Sequence, residues 1–459
     1  MFVSALRNLA GAFSLMGWLG FLVDGEVKMG IPDKSERSCP GNSVAGRFGS
    51  WVDRTPVWRL FLLILIIGAT VRGGALTLWP CKYVQILESH VEARNIAISL
   101  ARTGEFANPF RVPTGKTAHL EPLAPFLTSL IYRAWGVSPR AEFIRGIVCA
   151  LFSTLTCGLT VLLGLELGLG RLVSLCAGTI AALAPHGVQL VSDLTELNGC
   201  LGTALFICAV ILMLQAKRYA PSPLRLIASG VLSGLTILTC NSLLAPLAVL
   251  IVCAALPIKW NPLRLPLKSV IVIVLSTTLV VIPWSVRNLL VFNQWVTVRS
   301  NFGLEFRLAQ NDLSGEASMQ KIHPANSQET RELIRRVGEP AAYAALGRDG
   351  LKWVRAHPIE FAERTLKRVV YFWIPRTRPL RYVASFAVAL GALWGFTLLV
   401  IRMHRAALIV GILWLTFPAV YYLVLSYARY QQPMAFSLYL MASVPISVVS
   451  RKHHSELKP

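Results

Sequence analysis

Two glutamates between apolar stretches of the chain are the residues best placed to do chemistry. Glu88 and Glu92 stand four positions apart, so on a helix they share one face. Two neighbouring carboxylates raise each other's pKa, and more so in a partly dry cleft. A carboxylate with a raised pKa is suited to act as a general base on a hydroxyl group. Paired acids on an exposed helix are the alternative interpretation, and the spacing alone favours neither.

The composition indicates that membrane helices position these acids. Of the 459 residues, 54% are hydrophobic and only 15% are charged, whereas soluble domains carry about 25% charged residues. The net charge of +22 does not indicate nucleic-acid binding, because the basic residues are not gathered in one arm or patch. In a membrane protein they collect in cytoplasmic loops and at lipid headgroups. Most cysteines lie in apolar runs, so we expect no disulfide framework.

Ten apolar stretches are predicted to cross the membrane, since a bilayer core needs about 20 apolar residues per helix. They cover 57–79, 143–165, 172–190, 197–215, 225–240, 241–257, 268–286, 380–401, 406–425 and 434–450. The fifth and sixth stretches are short and meet near Asn241, so we expect them to be half-helices or tilted neighbours. Residues 1–22 resemble a signal peptide without a small-residue cleavage site, and we interpret them as an interfacial helix or an over-long start.

Short loops predict the orientation and the division of the chain. With ten spans, the short loops that contain Lys and Arg fall on the same side of the membrane as both termini, which makes that side cytoplasmic. The segments are then 1–56 (cytoplasmic or interfacial), 57–286 (a transmembrane module with the first external loop 80–141), 287–379 (a second external loop) and 380–459 (C-terminal transmembrane helices and a basic tail). Within the second external loop, 328–347 and 358–373 are predicted as amphipathic helices, with Pro358 in a first turn.

Several short motifs follow one another in a fixed order. The first loop holds Glu92-Ala-Arg-Asn-Ile-Ala, Gly104-Glu-Phe-Ala-Asn-Pro-Phe and Pro113-Thr-Gly-Lys-Thr-Ala-His-Leu-Glu-Pro. Pro283-Trp-Ser-Val-Arg-Asn, Ser300-Asn-Phe-Gly, Ala356-His-Pro-Ile-Glu-Phe, Val370-Tyr-Phe-Trp and Ala428-Arg-Tyr-Gln-Gln-Pro come later. Over about residues 57–450 this set resembles GT-C membrane glycosyltransferases of the protein-mannosyltransferase and lipid A aminoarabinose transferase type (glycosyltransferase family 39-like). Lys116, His119 and Glu121 stand where many bacterial members have Pro, Trp and Pro.

The resemblance implies an all-α polytopic membrane protein with a GT-C-type bundle of about ten transmembrane helices. Its expected location is a bacterial inner membrane, with the active site facing the periplasm or exterior. The implied enzyme moves a hexosyl or pentosyl unit from a polyprenyl-phosphate donor to a hydroxyl of a lipid, glycan or protein acceptor, with inversion. By position Glu92 is the catalytic base, and Glu88 is the second candidate.

The same resemblance supplies candidates for binding the substrates. A phosphate leaving group needs positive charge, and Arg287, Arg299 and Arg429 are predicted at the external surface, where headgroup anchoring is their alternative role. The remaining substrate-binding candidates are Glu196, His90, Asn288 and Asn301. Glu196 lies on the connection where related enzymes often carry a second acid, and Asp193 beside it is expected to cap a helix.

No cofactor or metal is assigned from the sequence. No His, Cys or carboxylate group has metal-ligand spacing, and there is no Walker-type glycine loop, although a divalent cation near Glu92 and Glu196 is left open. A transporter or lipid flippase is the main competing function, and the short spans around Asn241 favour it. A non-catalytic subunit with the same fold is a third possibility, compatible with the altered stretch from Lys116 to Glu121.

Overall fold

The computed structural model describes residues 44–78, 91–110, 112–184, 188, 197–219, 222–257, 261–313, 315–374 and 379–455. Glu88, His90, Asp193, Glu196 and the N-terminal segment 1–22 lie outside these residues. The described residues form helices and contain no strands, only an isolated bridge between Ala107 and Lys116. The predicted all-α class is therefore confirmed.

The helices are numbered here in chain order. The first ten are α1 Val44–Arg54, α2 Val57–Thr77, α3 Glu92–Thr103, α4 Leu123–Trp135, α5 Pro139–Glu166, α6 Arg171–Leu183, α7 Leu197–Arg218, α8 Pro223–Ile237, α9 Leu244–Ala255 and α10 Leu267–Phe292. The others are α11 Phe302–Ala309, α12 Gly315–Lys321, α13 Gln328–Val337, α14 Glu339–Ala356, α15 Pro358–Trp373, α16 Pro379–Ile401, α17 Arg405–Thr416, α18 Ala419–Leu423 and α19 Ala435–Ser455. Short 3₁₀ turns cover Asn241–Leu243 and Ala428–Met434.

Each predicted span falls on one or more of these helices, and six helical segments are long and apolar enough to cross a membrane. These six are Val57–Thr77, Pro139–Glu166, Leu197–Arg218, Leu267–Phe292, Tyr382–Ile401 and Arg405–Leu423. The shorter apolar helices include α6 and α8, so the total of ten crossings stays a prediction. α7 is buried on nearly all sides, whereas α16 exposes large apolar side chains. A helix that is apolar all round is stable at the centre of a bundle, and an exposed apolar face is suited to lipid.

Connections predicted on the same side of the membrane do meet in space. The Glu121 carboxylate accepts a hydrogen bond from the Asn241 backbone N–H at 2.8 Å, and Gln310 Nε2 donates to the Leu423 carbonyl at 2.8 Å. At the other end of the bundle, Arg218 pairs with Glu166 at 3.4 Å. We call the first end the loop face, formed by residues 91–110, 112–122, 238–243, 293–313, 315–374 and 424–434. Which side of the membrane the loop face occupies stays a prediction.

The helix break at Asn241 lies on this loop face rather than in the middle of the bundle. The backbone N–H of Leu123 donates to the carbonyl of Leu238 at 3.1 Å, so the end of α8 is held against the start of α4. Transporters place their broken helices at the membrane midplane, around the transported substrate. The one feature that favoured transport in the sequence therefore has another role, which is to complete the loop face.

The second long loop folds into helices with a small core of their own. Leu304, Leu308, Ile322, Ile334 and Tyr343 are buried together between α11 and α14. The predicted helix 358–373 is confirmed as α15, but the predicted helix 328–347 is wrong in its continuity. Gly338 has a φ of +82° and divides it into α13 and α14. A left-handed residue cannot continue a right-handed helix, and Pro340 in the first turn starts a new one.

Candidate active site

Glu92 occupies the first turn of α3, where its carboxylate faces residues from three other segments. Its Oε1 lies 3.7 Å from His323 Nε2, and the positive charges of Arg429 and Arg299 act on it. The N-terminal end of a helix favours a negative charge, so α3 itself stabilises an ionised Glu92. A third of the side chain, 33%, is exposed, which leaves this carboxylate open to a substrate.

The surroundings of Glu92 nevertheless make the carboxyl more basic. Burial of the group among protein atoms raises the pKa of Glu92 above its usual value of 4.5, and this outweighs a backbone hydrogen bond and the two arginines, which lower it. Water reaches one side of the side chain while protein atoms enclose the rest. An accessible carboxylate with a raised pKa is the kind of group that takes a proton from a hydroxyl.

Arg299 connects the two long loops beside this carboxylate. Its Nη1 donates to Glu121 Oε1 at 3.1 Å, and its Nε donates to Asn301 Oδ1 at 2.7 Å. Glu121 is almost fully buried, with 4% of its side chain exposed. Because an arginine in such contacts keeps a fixed direction, Arg299 presents a fixed positive charge to the space next to Glu92.

A second half-buried carboxyl, Glu305 on α11, accompanies Glu92. Asn301 Nδ2 donates to Glu305 Oε1 at 3.3 Å, which places Asn301 between Glu305 and Arg299. Burial raises the pKa of Glu305, and the negative charge of Glu92 raises it further, while Arg299 and Arg429 lower it. The described site thus contains a carboxyl pair, Glu92 and Glu305, that comes from two distant segments.

Arg429 lies on the exposed side of the same cluster. It is in the 3₁₀ turn Ala428–Met434, with its guanidinium 5.3 Å from the ring centre of Tyr427 and 5.4 Å from that of Tyr430. The rings of Tyr421 and Tyr430 stack with their centres 4.7 Å apart. Cation–π contacts hold the arginine in place on this aromatic platform. The site therefore has a half-buried arginine, Arg299, and an exposed one, Arg429.

Arg287 and Asn288 hold the backbone of the loops. Arg287 Nη1 donates to the Thr117 carbonyl at 2.8 Å, and its Nη2 donates to the Phe106 carbonyl at 3.0 Å. The guanidinium also lies 4.9 Å from the ring centre of Trp284. Asn288 is fully buried, and its Nδ2 donates to the Val296 carbonyl at 3.0 Å. The Arg287 contacts position the first loop against α10 and the Asn288 contact holds the backbone that follows α10, while phosphate binding by Arg287 and substrate binding by Asn288 stay predictions.

The carboxylate of Glu339, at the start of α14, also joins the first and second long loops. Its carboxylate accepts hydrogen bonds from Thr117 Oγ1, from the Ala118 N–H at 2.8 Å and from Ser300 Oγ at 2.7 Å. Burial raises the pKa of Glu339, partly offset by these hydrogen bonds. The three donors come from two loops, so one carboxylate fixes the position of both.

A buried cluster of aromatic side chains fills the space between Glu339 and Glu92. His119 Nδ1 lies 3.1 Å from the Tyr343 hydroxyl, and Phe110 packs edge-on against both His119 and His323. Burial lowers the pKa of His119 well below its usual value, so this histidine is neutral. The floor of the site is therefore apolar and uncharged, which explains why burial dominates the pKa of Glu92.

The first loop is anchored to the bundle by a buried ionic group near Glu92. Glu142 on α5 is fully buried and contacts Arg94 Nε at 3.1 Å and Arg145 Nε at 2.8 Å. The hydroxyl of Tyr132 on α4 donates to the same carboxylate. Because Arg94 is two residues from Glu92 on α3, this group sets where α3 begins.

Four acidic or basic site residues escaped the sequence analysis as functional candidates, namely Glu121, Glu305, His323 and Glu339. Glu121 carried a signal, since it departs from the Pro typical of the resembling enzymes and stands in an apolar surrounding. The other three lie in the second loop, where charged residues are common and nothing in the pattern distinguishes them. Among the described residues no three His, Cys, Asp or Glu side chains converge as metal ligands.

Comparisons with known proteins give the fold. No protein-family model matches the sequence, and no curated protein sequence matches it significantly. The crystal structure of the Archaeoglobus fulgidus oligosaccharyltransferase in complex with Zn and sulfate is similar with a TM-score of 0.53 and 14% identity, over 85% of this chain and 49% of that one. Another structure, the oligosaccharyltransferase AglB from Archaeoglobus fulgidus with an inhibitory peptide and a dolichol-phosphate, gives 0.51 and 16%, over 86% and 51%.

A third structure is ArnT from Cupriavidus metallidurans bound to undecaprenyl phosphate, with a TM-score of 0.34 and 15% identity over 84% of this chain and 77% of that one. This similarity is too low to define a shared fold. The chain spans about half the length of the archaeal structures it matches. At these identities the archaeal matches identify the fold alone, and this chain shares the fold of the archaeal oligosaccharyltransferase.

Proposed function

We propose that this protein is a membrane glycosyltransferase that uses a polyprenyl-phosphate sugar as donor. The observation that carries the proposal is the half-buried carboxylate of Glu92, with its raised pKa, beside Arg299 and Arg429 on the loop face of a GT-C fold. Of the related structures, the archaeal oligosaccharyltransferase binds a dolichol-phosphate. A lipid phosphate is therefore the leaving group that we assign to this site.

In the proposed reaction Glu92 accepts the proton of the acceptor hydroxyl. The acceptor oxygen then forms a bond to the anomeric carbon of the sugar as the bond from that carbon to the phosphate oxygen breaks. The electron pair of the broken bond stays with the polyprenyl phosphate, and the displacement inverts the anomeric carbon. Glu92 returns its proton to solvent afterwards. The removal of the hydroxyl proton as the new bond forms is general-base catalysis by a positioned carboxylate.

The arginines have separate roles in this mechanism. The donor phosphate gains a negative charge when the sugar leaves, so a nearby cation stabilises the transition state more than the bound donor. Arg299 and Arg429 are the arginines that act on Glu92, and we assign the phosphate to them. Arg287 supports the loop instead, since its Nη1 and Nη2 both donate to loop carbonyls. Asn301 positions Arg299 and Glu305 for the same site.

The remaining assignments continue as expectations. Glu88, His90 and Glu196 lie outside the described residues, so their roles in catalysis and substrate binding stay predictions. A divalent cation near Glu92 and Glu196 also stays open, and transfer measured with and without EDTA tests it. A bacterial inner membrane, with the loop face toward the periplasm or exterior, fits a lipid-linked donor.

The test uses full-length protein in lipid nanodiscs with a panel of undecaprenyl-phosphate sugars and acceptors. Release of undecaprenyl phosphate is followed for the wild type, for Glu92→Gln and for Glu363→Gln as a matched control. Glu363 is an exposed glutamate on α15 whose carboxylate pairs with Lys367 at 2.6 Å. We expect release with one donor, its loss in Glu92→Gln and wild-type release in Glu363→Gln.

Full activity in a folded Glu92→Gln protein would transfer the role of base to Glu88 or Glu305. No release with any donor would instead favour the non-catalytic subunit.

A further inference from the structure

His323 lies in a rigid turn that joins α12 to α13. Its backbone carbonyl accepts from the N–H groups of Asn326 and Ser327 at 3.0 and 2.8 Å. Arg331 Nη1 donates to the Pro324 carbonyl at 2.8 Å, which fastens the turn to α13. Only 5% of the His323 side chain is exposed. The turn fixes the backbone of His323, and burial together with the packing of Phe110 restrains the direction of its ring.

The backbone fixes which ring nitrogen of His323 carries the proton. The N–H of Ala325 points to His323 Nδ1 at 3.2 Å, so Nδ1 is an acceptor. In a neutral imidazole the other nitrogen then carries the hydrogen, and Nε2–H is the donor. Burial lowers the pKa of His323 to about 4, so the ring is neutral at neutral pH.

The Nε2–H donor of His323 faces Glu92, the proposed base. The Nε2 atom of His323 is 3.7 Å from Glu92 Oε1, and Phe110 packs edge-on against the imidazole at a centre-to-centre distance of 5.4 Å. Contacts of catalytic groups are often long without substrate and shorten in the complex. The other ionisable groups that act on Glu92 or are acted on by it are Arg299, Glu305, Tyr343 and Arg429.

We propose that His323 is the positioning residue of the base: its Nε2–H holds Oε1 of Glu92 and leaves Oε2 for the acceptor hydroxyl. His323 cannot itself take the proton from Glu92, because Nδ1 is turned to the backbone and Nε2 is already protonated. It therefore orients the carboxylate and stabilises its ionised form through a hydrogen bond. This inference rests on the proposed function of Glu92.

The test compares His323→Phe, which removes the donor, with His323→Gln, whose amide can donate from a position close to that of Nε2. Transfer is measured against pH in nanodiscs with the donor identified for the wild type. For His323→Phe we expect a fall in kcat of about tenfold or more with little change in acceptor KM. The midpoint of the acid limb should move up by about one pH unit, because Glu92 loses a group that stabilises its charge. His323→Gln should restore the midpoint.

His119→Phe is the matched control, because His119 is an equally buried histidine on Phe110 that pairs with Tyr343 instead of Glu92. Its acid limb should keep the wild-type midpoint. An unchanged midpoint in a folded His323→Phe protein would overturn the proposal, and so would the same shift in His119→Phe. Glu92→Gln in the same assay separates the two hypotheses. Retained activity there refutes Glu92 as base, whereas its loss together with an unshifted His323→Phe refutes only the role of His323.

Discussion

Arg299 and Glu121 form an ion pair at 3.1 Å across 178 residues of sequence, and this pair joins the two long loops at the candidate active site. Glu121 also accepts the backbone N–H of Asn241, so one carboxylate connects the first loop, the second loop and the α8–α9 break. A buried carboxylate with two donors is well compensated, but removal of either member leaves the other without its partner.

We predict that Glu121→Gln lowers the free energy of unfolding by about 2 kcal/mol. The usual 3–5 kcal/mol for breaking a buried pair is reduced here because 28% of the Arg299 side chain is exposed. Thermal unfolding in nanodiscs of Glu121→Gln, Arg299→Gln and the double variant gives the coupling energy. Simple additivity of the two single losses would show that the pair does not contribute.

The raised pKa of Glu92 predicts a visible pH dependence of catalysis. The base must be ionised, so activity falls as the pH drops through its pKa, and burial moves that pKa above 4.5. The acid limb of kcat/KM should therefore have its midpoint above 4.5 in the wild type. Arg429→Gln removes a charge that lowers this pKa, so its limb should lie at still higher pH. A limb in Arg429→Gln at or below that of the wild type would contradict the assignment.

Replacing Arg429 by Gln should change the kinetics of transfer, whereas replacing Arg287 by Gln should change the stability of the protein. Arg429 is exposed on its tyrosine platform, so Arg429→Gln should raise the donor KM and lower kcat while the unfolding temperature stays near that of the wild type. Arg287→Gln removes donors to Thr117 and Phe106, so it should lower stability by about 2 kcal/mol. Donor titrations and thermal unfolding of both variants decide this. If Arg287→Gln unfolds at the wild-type temperature, the loop-support role is refuted and Arg287 becomes a candidate phosphate ligand again.

Gly303 allows α11 to approach α14 closely enough to set the floor of the site. A Cβ at Gly303 would lie 2.0 Å from the carbonyl oxygen of Tyr343, which is backbone and cannot rotate away. We expect Gly303→Ala to cost about 3 kcal/mol of stability and to reduce activity through Tyr343. Gly73→Ala is the control, since nothing lies within 4 Å of that Cβ, and it should be neutral or slightly stabilising. Equal stability of the two variants in thermal unfolding would contradict the close approach.

The sequence by itself determined the helical class, the positions of the apolar helices, the amphipathic helix α15 and Glu92 as the leading acid. The helices follow from local composition and periodicity, which act over a few turns of chain, whereas Glu92 was singled out by the resemblance of its motif to those of GT-C enzymes. Only the tertiary structure brought His323 next to Glu92, placed Glu305 within its electrostatic reach and showed Arg287 donating to loop carbonyls. It did so because polar groups excluded from water must find partners, and those partners lie far along the chain. In the same way, only the structure showed that the helix break at Asn241 belongs to the loop face, where the Glu121 carboxylate accepts the Asn241 N–H.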